Sequence, residues 1–170
     1  MILLGDVISP TIVKWIHEVC GARVLGVLGR YDNAATVAAL SSVDGFIECK
    51  SLEIEGVSIY GIGLSGCVNI KGEKADIVIS SLPGFKYGCC NPKVDTVDSF
   101  IELLKPRLVI TGSCRKPCRA GNVFSPGSIA LGYMGLLELG KEFYHNVRAV
   151  NLHGLHVSSW AMNPTREGIA

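Results

Sequence analysis

Short apolar runs alternate with segments of helical spacing along the first quarter of the chain. Residues 2–4 and 24–28 are such runs, and we expect each to form a buried strand of a parallel sheet. Between them, apolar residues recur at helical spacing over 12–19 and stop before Gly21, and a second helical segment covers 34–40. Because helices separate the strands, the strands should pair in parallel, as in an α/β domain.

The pattern continues with four further segments of strand character and one long helix. The predicted strand segments are residues 46–50, 52–54 and 57–62, together with a buried strand and the turn after it over residues 75–84. Glu55-Gly56 is a turn between the second and third of these segments. Residues 94–104 carry apolar side chains on one face and predict a helix.

Composition narrows the class of protein. The chain has 170 residues, 48% of them hydrophobic and 18% charged, which suits a single globular domain. A net charge of +1 gives no electrostatic indication of nucleic acid or an anionic membrane as a partner. We find no apolar run of the roughly 18 residues that a membrane span needs. Residues 1–6 lack the basic region of a signal peptide, so we expect a cytoplasmic protein.

The seven cysteines leave several possibilities open. They are residues 20, 49, 67, 89, 90, 114 and 118. An odd count without a secretion signal argues against a secreted disulfide framework, and we interpret Cys20, Cys49 and Cys67 as small buried apolar residues. The other four could meet as disulfides or as a zinc site. Against zinc, the spacing of Cys114 and Cys118 is loose and adjacent cysteines rarely ligate one metal together.

Two motifs in the first quarter carry a family resemblance. Residues 27–33, Val-Leu-Gly-Arg-Tyr-Asp-Asn, follow the second predicted strand, where ligands bind in open α/β sheets. They resemble the Gly-Asn-His-Asp motif of calcineurin-like metallophosphoesterases. Arg30 then stands in place of a metal-binding Asn, and Tyr31 in place of the catalytic His. Gly5-Asp6 resembles the family's earlier Gly-Asp motif, which makes Asp6 the counterpart of its metal-bridging aspartate.

Later segments resemble the same family in order and spacing. Residues 75–84 are similar to a segment that ends in a metal-binding His, and Ser81 stands at that position. Residues 108–117 are similar to a segment with two histidines, replaced here by Ser113 and Arg115. Residues 122–128 match its Asn-Pro-Gly-Ser turn, and 133–139 and 143–150 its closing strands. The resemblance implies a four-layer αββα sandwich with two mixed β-sheets over residues 1–150.

The family's first motif, Asp-x-His, should precede Gly5 and is not in that part of the chain. Residues 152–161 are similar to it, with Ser159 for Asp and Ala161 for His. We therefore hypothesise a circular permutation, in which segment 151–170 supplies the family's first strand. The alternatives are an ordinary C-terminal strand or tail, a strand donated by a second chain, and a start upstream of Met1.

What the resemblance implies about function depends on these substitutions. The family reaction needs two metal ions that activate water and hold phosphoryl oxygens. The former metal-site positions are Asp6, Arg30, Ser81, Ser113, Arg115, Ser159 and Ala161. Asp6 alone keeps a family ligand, and arginine cannot ligate a metal because it stays protonated. We therefore expect no catalytic residue and no metal cofactor. The prediction is a non-catalytic binding or scaffolding module, a pseudoenzyme that contacts an unidentified protein or a second copy of itself.

Three alternatives remain for the former site. Arg30 and Arg115, with Lys116, could bind a phosphate-containing small molecule, since guanidinium groups bind phosphate bidentately. An arginine could instead pair with Asp6 or Asp32 and neutralise the site. The third alternative is an active metal-dependent phosphoesterase, with a Mn, Fe or Zn pair held by Asp6, Asp32 and cysteine thiolates.

Overall fold

The protein has a mixed α/β architecture. The computed structural model describes residues 1–7, 9–67, 74–91, 94–140, 145–153 and 156–162. The helices described there are α1 (Thr11–Cys20), α2 (Ala34–Ser41) and α3 (Asp95–Leu104). The strands are β1 (Ile2–Leu4), β2 (Leu25–Val27), β3 (Ser51–Ile54), β4 (Val57–Ile62), β5 (Ile77–Ser80), β6 (Leu108–Thr111), β7 (Cys118–Ala120), β8 (Val123–Ser125), β9 (Tyr133–Leu139), β10 (His145–Asn151) and β11 (His156–Met162). None of the described helices is long and apolar enough to cross a membrane.

The main sheet has six strands in the order β3-β4-β5-β6-β8-β7. β4, β5, β6 and β8 run parallel, while β3 and β7 add antiparallel edges. β1 and β2 form a separate parallel pair, and β9, β10 and β11 form an antiparallel sheet. The predicted strand over 46–50 is wrong: that segment makes only the isolated bridges Gly26↔Phe46 and Glu48↔Gly61, which link β2 to β4.

The core follows the alternation of side chains along the central strands. Ile77 and Ile79 of β5 enter a cluster with Leu25 and Val27 of β2, whereas Val78 faces the opposite side. That opposite side of the main sheet is covered by α3, through buried Val97, Ile101 and Leu104. Because successive residues of a strand point to opposite faces, the main sheet is buried on both.

The helices α1 and α2 cover the outer side of the β1–β2 pair. Val13 and Ile16 of α1 pack with Leu40 of α2 in a third buried cluster. Our expectation of a wider apolar face on α1 is wrong, since Ile12 and Val19 are 44% and 63% exposed. The two-stranded sheet is narrow, and it leaves the outer turns of α1 uncovered.

The C-terminal segment forms a strand, but its pairing does not support the circular permutation. β11 pairs antiparallel with β10 and lies at the edge of the three-stranded sheet. Ser159 and Ala161 lie opposite Arg148 and Asn146 in that ladder. Among the described strands, β1 pairs with β2 and not with β11. Residues 163–170 of the predicted C-terminal segment lie outside the described residues.

Candidate functional site

Four strand ends meet at one place in the molecule. A Cβ placed on Gly5, after β1, would lie 2.6 Å from the Gly29 nitrogen and 3.1 Å from the Ser81 Cβ. A Cβ on Gly112, after β6, would lie 2.5 Å from the Leu4 carbonyl oxygen. These glycines allow the approach, because any side chain there would collide with backbone. We call the group formed by Gly5, Asp6, Gly29, Asp32, Ser81, Gly112 and Ser113 the strand-end cluster.

Asp32 fastens the loops that follow β1 and β2. Its carboxylate accepts hydrogen bonds from the backbone N–H of Asp6 at 2.7 Å, of Val7 at 2.8 Å and of Gly29 at 2.7 Å. Both carboxylate oxygens are occupied by backbone donors, and hydrogen bonds to a charged acceptor are strong. Asp32 is therefore a structural clamp in this arrangement.

Asp6 lies beside this clamp. Its Oδ1 accepts the backbone N–H of Tyr31 at 2.9 Å and contacts Gly29. The Asp6 backbone has φ 57°, in the left-handed region that side-chain-bearing residues rarely adopt. The hydrogen bond from its own N–H to Asp32 holds this conformation. Asp6 thus has one carboxylate oxygen engaged by the protein's own backbone.

The former histidine positions carry hydroxyl groups. Ser81 is buried, and its Oγ has no hydrogen-bond partner among the described residues. The Ser113 hydroxyl donates to the Ser81 carbonyl oxygen at 2.9 Å, with Ser113 at φ 58°. Thr111 adds a second buried hydroxyl without a described partner. Neutral hydroxyls do not replace the imidazole and carboxylate ligands that Mn, Fe or Zn pairs require.

The arginines do not neutralise the strand-end cluster. Arg30 and Tyr31 are exposed, with Tyr31 75% accessible to solvent. The ion pairs found in the described part of the chain are Lys86–Glu102 and Arg148–Glu138. The expectation that an arginine pairs with Asp6 or Asp32 is therefore wrong there. The physical reason is that backbone N–H groups already stabilise both carboxylates.

Glu48 is a further acidic group near this cluster that the sequence prediction missed. Its Oε2 accepts the Leu28 N–H at 3.1 Å, and its carboxylate contacts Gly63. Burial raises the pKa of Glu48, the hydrogen bond from Leu28 lowers it, and the nearby negative charge of Asp32 raises it further. A lone glutamate within the mainly apolar segment 46–50 was the available signal.

The cysteines form three disulfides. Cys49 bonds to Cys67, Cys89 to Cys118 and Cys90 to Cys114, with Cα separations of 5.3, 5.8 and 5.7 Å. Cys20 is free and exposed. Our interpretation of Cys20, Cys49 and Cys67 as buried apolar residues is wrong. The odd cysteine count did not exclude a disulfide framework, because a single unpaired thiol accounts for it.

Two of these disulfides join the loop beyond β5 to the loop beyond β6 and to the start of β7, and they border a cavity of about 440 Å³. The cavity is lined by Cys89, Cys90, Asn91, Arg115, Lys116, Pro117, Cys118 and Leu131. We call it the cation cavity, because its lining residues include two cations and no carboxylate. Arg115 and Lys116 are exposed and form no ion pair with a described residue.

Two solved structures are similar to this chain in fold. The crystal structure of TT1561 from Thermus thermophilus is 13% identical, with a TM-score of 0.54 over 89% of this chain and 77% of that chain. A second crystal structure is 14% identical, with a TM-score of 0.52 over 91% of this chain and 71% of that chain. At these identities the likeness concerns the fold alone. No protein-family model matches the chain, and no curated protein matches it significantly.

Proposed function

We propose that this chain is a non-catalytic binding or scaffolding module with the four-layer sandwich of calcineurin-like metallophosphoesterases. The order of packing supports the fold part of the proposal. α1 and α2 cover the β1–β2 pair, which packs on the six-stranded sheet, and α3 covers the far side of that sheet. The order of the motifs along the chain supports the same family.

The hydrogen bonding of the strand-end cluster is the observation that carries the functional part. Asp32 is occupied by three backbone N–H groups, and Asp6 has one oxygen engaged by Tyr31. The neighbouring positions are the hydroxyls of Ser81 and Ser113. A two-metal hydrolase needs several anionic or imidazole ligands around both ions. One partly occupied carboxylate does not supply them.

Manganese binding by the oxidised full chain tests this proposal. We expect equilibrium dialysis against Mn²⁺ to give fewer than one tightly bound ion per chain, unchanged by Asp6→Ala. Two bound Mn²⁺ per chain that are lost in Asp6→Ala would overturn the proposal and favour the metal-dependent phosphoesterase. Glu18→Ala, an exposed carboxylate on α1, is the matched control for loss of one negative charge.

A second candidate function is binding of a phosphate-containing small molecule. The cation cavity favours it, because Arg115 and Lys116 share one cavity with Asn91 and lack an acidic partner among the described residues. Arginine and lysine recognise phosphate by charge-assisted hydrogen bonds. The sequence prediction groups Arg30 with these cations, but Arg30 does not line this cavity.

Thermal unfolding with added pyrophosphate and nucleotides tests this second function. We expect a rise in Tm that disappears in Arg115→Ala and persists in Arg30→Ala and in the exposed control Arg23→Ala. A rise that is lost in Arg30→Ala instead would place the anion at the strand-end cluster. Equal shifts in all variants, or no shift with any phosphorylated compound, would rule out the cation cavity as an anion site.

A further inference from the structure

The sulfur atoms of four cysteines come together in a single group at the edge of the cation cavity. Cys89 and Cys90 lie in the loop beyond β5, Cys114 lies in the loop beyond β6, and Cys118 is the first residue of β7. We call these four residues the sulfur cluster. The Sγ atoms of Cys114 and Cys118 are 3.8 Å apart although they belong to different disulfides. Those of Cys89, Cys114 and Cys118 all lie within 4.8 Å of one another.

These distances are close to those of a tetrahedral metal–thiolate centre. Zn–S bonds of about 2.3 Å place neighbouring sulfurs about 3.8 Å apart in a tetrahedron. Soft thiolate ligands select Zn²⁺ and other soft cations over Mg²⁺, Ca²⁺ or Mn²⁺. Cys90 is bonded to Cys114 and thus brings a fourth sulfur to the same group. Three sulfurs of the cluster, those of Cys89, Cys114 and Cys118, therefore lie close enough together to ligate one zinc ion, and Cys90 brings the fourth ligand of a structural site through its bond to Cys114.

Adjacent cysteines rarely ligate one metal together, but the disulfide pairing shows that Cys89 and Cys90 reach the same group of sulfur atoms. Cys89 and Cys90 bond to different cysteines of the opposite loop, Cys118 and Cys114. The Sγ atoms of those two partners are in contact at 3.8 Å. The turn of the chain at 89–90 thus directs both side chains to one group of sulfurs, despite their adjacency in the sequence.

The surroundings suit a negatively charged metal–thiolate centre. Cys114 is 1% exposed and the other three sulfur-bearing residues are half-buried, which shields the group from competing ligands. Four thiolates around one Zn²⁺ carry a net charge of −2. Arg115 and Lys116 are the two residues that follow Cys114, and they line the cavity beside the cluster. Their positive charge favours the thiolate over the thiol.

We propose that the reduced sulfur cluster binds one soft divalent cation of the Zn²⁺ type, and that its two disulfides are the oxidised, metal-free form. Two equivalents of a dithiol supply the four electrons and four protons that convert the two disulfides to four thiols. Binding of the cation releases the thiol protons as metal–sulfur bonds form. Oxidation by a disulfide compound reverses the exchange, re-forms the two S–S bonds and releases the cation. This site is separate from the strand-end cluster.

Cobalt titration of the full chain tests the proposal. We would reduce the protein with a dithiol, remove the excess under anaerobic conditions and add Co²⁺. The expected result is one Co²⁺ per chain, with the sulfur-to-cobalt charge-transfer bands and the visible bands of tetrahedral thiolate coordination, all displaced by one equivalent of Zn²⁺. Absence of these bands from the folded, reduced protein would overturn the proposal.

Variants decide whether the sulfur cluster is responsible. Cys114→Ser should lower cobalt affinity at least tenfold and weaken the charge-transfer bands. Cys89→Ser, at a less buried position, provides the same test if Cys114→Ser fails to fold by circular dichroism. The control is Cys49→Ser/Cys67→Ser, which removes two cysteines outside the cluster and should retain one Co²⁺ per chain. Cobalt binding that is unchanged in Cys114→Ser and Cys89→Ser would contradict the assignment.

Discussion

The strand-end cluster draws some of its residues, Ser81, Gly112 and Ser113, from the segments beyond β5 and β6 that also carry the sulfur cluster, yet different forces hold the two clusters. In the strand-end cluster, backbone N–H groups donate to the Asp32 carboxylate, and glycines allow close contact. In the sulfur cluster, covalent bonds join Cys89 to Cys118 and Cys90 to Cys114. The first arrangement satisfies its charged groups internally, whereas the second leaves Arg115 and Lys116 without a described acidic partner.

This difference shows that the position of a group of residues in the fold does not determine which chemistry it offers to a ligand. The strand-end cluster occupies the place where an α/β sheet binds ligands, but its two carboxylates accept hydrogen bonds from the protein's own backbone. The chemistry available to an outside ligand, sulfur and positive charge, lies farther out along the same loops. A search guided by position alone would select the strand-end cluster and overlook the sulfur cluster.

We expect the largest effect on stability from removal of the two disulfides of the sulfur cluster. Each disulfide of the sulfur cluster closes nearly the same loop, with sequence separations of 29 and 24 residues. Replacing all four cysteines by serine should cost about 3.5 kcal/mol of unfolding free energy under oxidising conditions. Removing only Cys90 and Cys114 should cost much less, because Cys89–Cys118 still closes the loop.

Urea denaturation with and without a dithiol measures both effects. In the dithiol and without added metal, the quadruple variant and the parent chain should converge in stability. One double variant lacks Cys89 and Cys118, and the other lacks Cys90 and Cys114. If each of them loses as much unfolding free energy as the quadruple variant, the two bonds do not act as nested closures of one loop, and that part of the account fails.

The second largest effect on stability is expected at Asp32, in the hydrogen-bonded strand-end cluster. Asp32→Ala leaves the N–H groups of Asp6, Val7 and Gly29 without their acceptor. We expect a loss of about 3 kcal/mol of unfolding free energy, since each of three donors loses a charge-assisted bond but regains some water. The exposed control Glu18→Ala should change it by less than about 0.5 kcal/mol. Equal small losses for both would show that Asp32 is not a clamp.

Much of the fold could be predicted from the apolar pattern, and the reason is local. β1 and β4 coincide with their predicted segments, because each is a short, largely apolar run that ends before a glycine. Segment 46–50 is also mainly apolar but forms only isolated bridges. There, the Glu48 side chain turns to the Leu28 N–H, a partner twenty residues away that no local pattern contains.

The location of the candidate site could be predicted from the sequence, but the roles of its residues could not. The order of the family-like motifs predicted that Asp6, Ser81 and Ser113 lie at neighbouring strand ends. The clamp role of Asp32 depends on three N–H groups whose direction follows from the positive φ of Asp6 and the close approach of Gly29. The cysteine pairing likewise depends on which loops meet in space, and spacing along the chain does not determine that.

The smallest predicted effect is a pH dependence at Glu48. Burial raises the pKa of Glu48 above its ordinary value of 4.5, so the folded state disfavours the charged form. The stability that Glu48 contributes is therefore complete below pH 4.5 and is lost as the pH rises through the raised pKa. Glu48→Gln keeps an oxygen to accept the Leu28 N–H and carries no charge.

The substitution Glu48→Gln should therefore stabilise the protein at pH 7, by less than about 1 kcal/mol because water screens the half-exposed carboxylate. The difference between Glu48→Gln and the parent chain should vanish when Tm is compared at about pH 4. Glu53→Gln, an exposed glutamate on β3, serves as control and should show no such pH-dependent gain. A gain under acidic conditions equal to that at neutral pH would contradict the assigned burial effect.

Our central proposal is that the strand-end cluster does not catalyse phosphoester hydrolysis. The most direct test is hydrolysis of an activated phosphodiester by the oxidised full chain with Mn²⁺, compared with Asp6→Ala. Our account predicts no turnover above background in either protein. Metal-dependent turnover in the parent chain that is abolished by Asp6→Ala would contradict it and identify an active phosphoesterase with altered ligands.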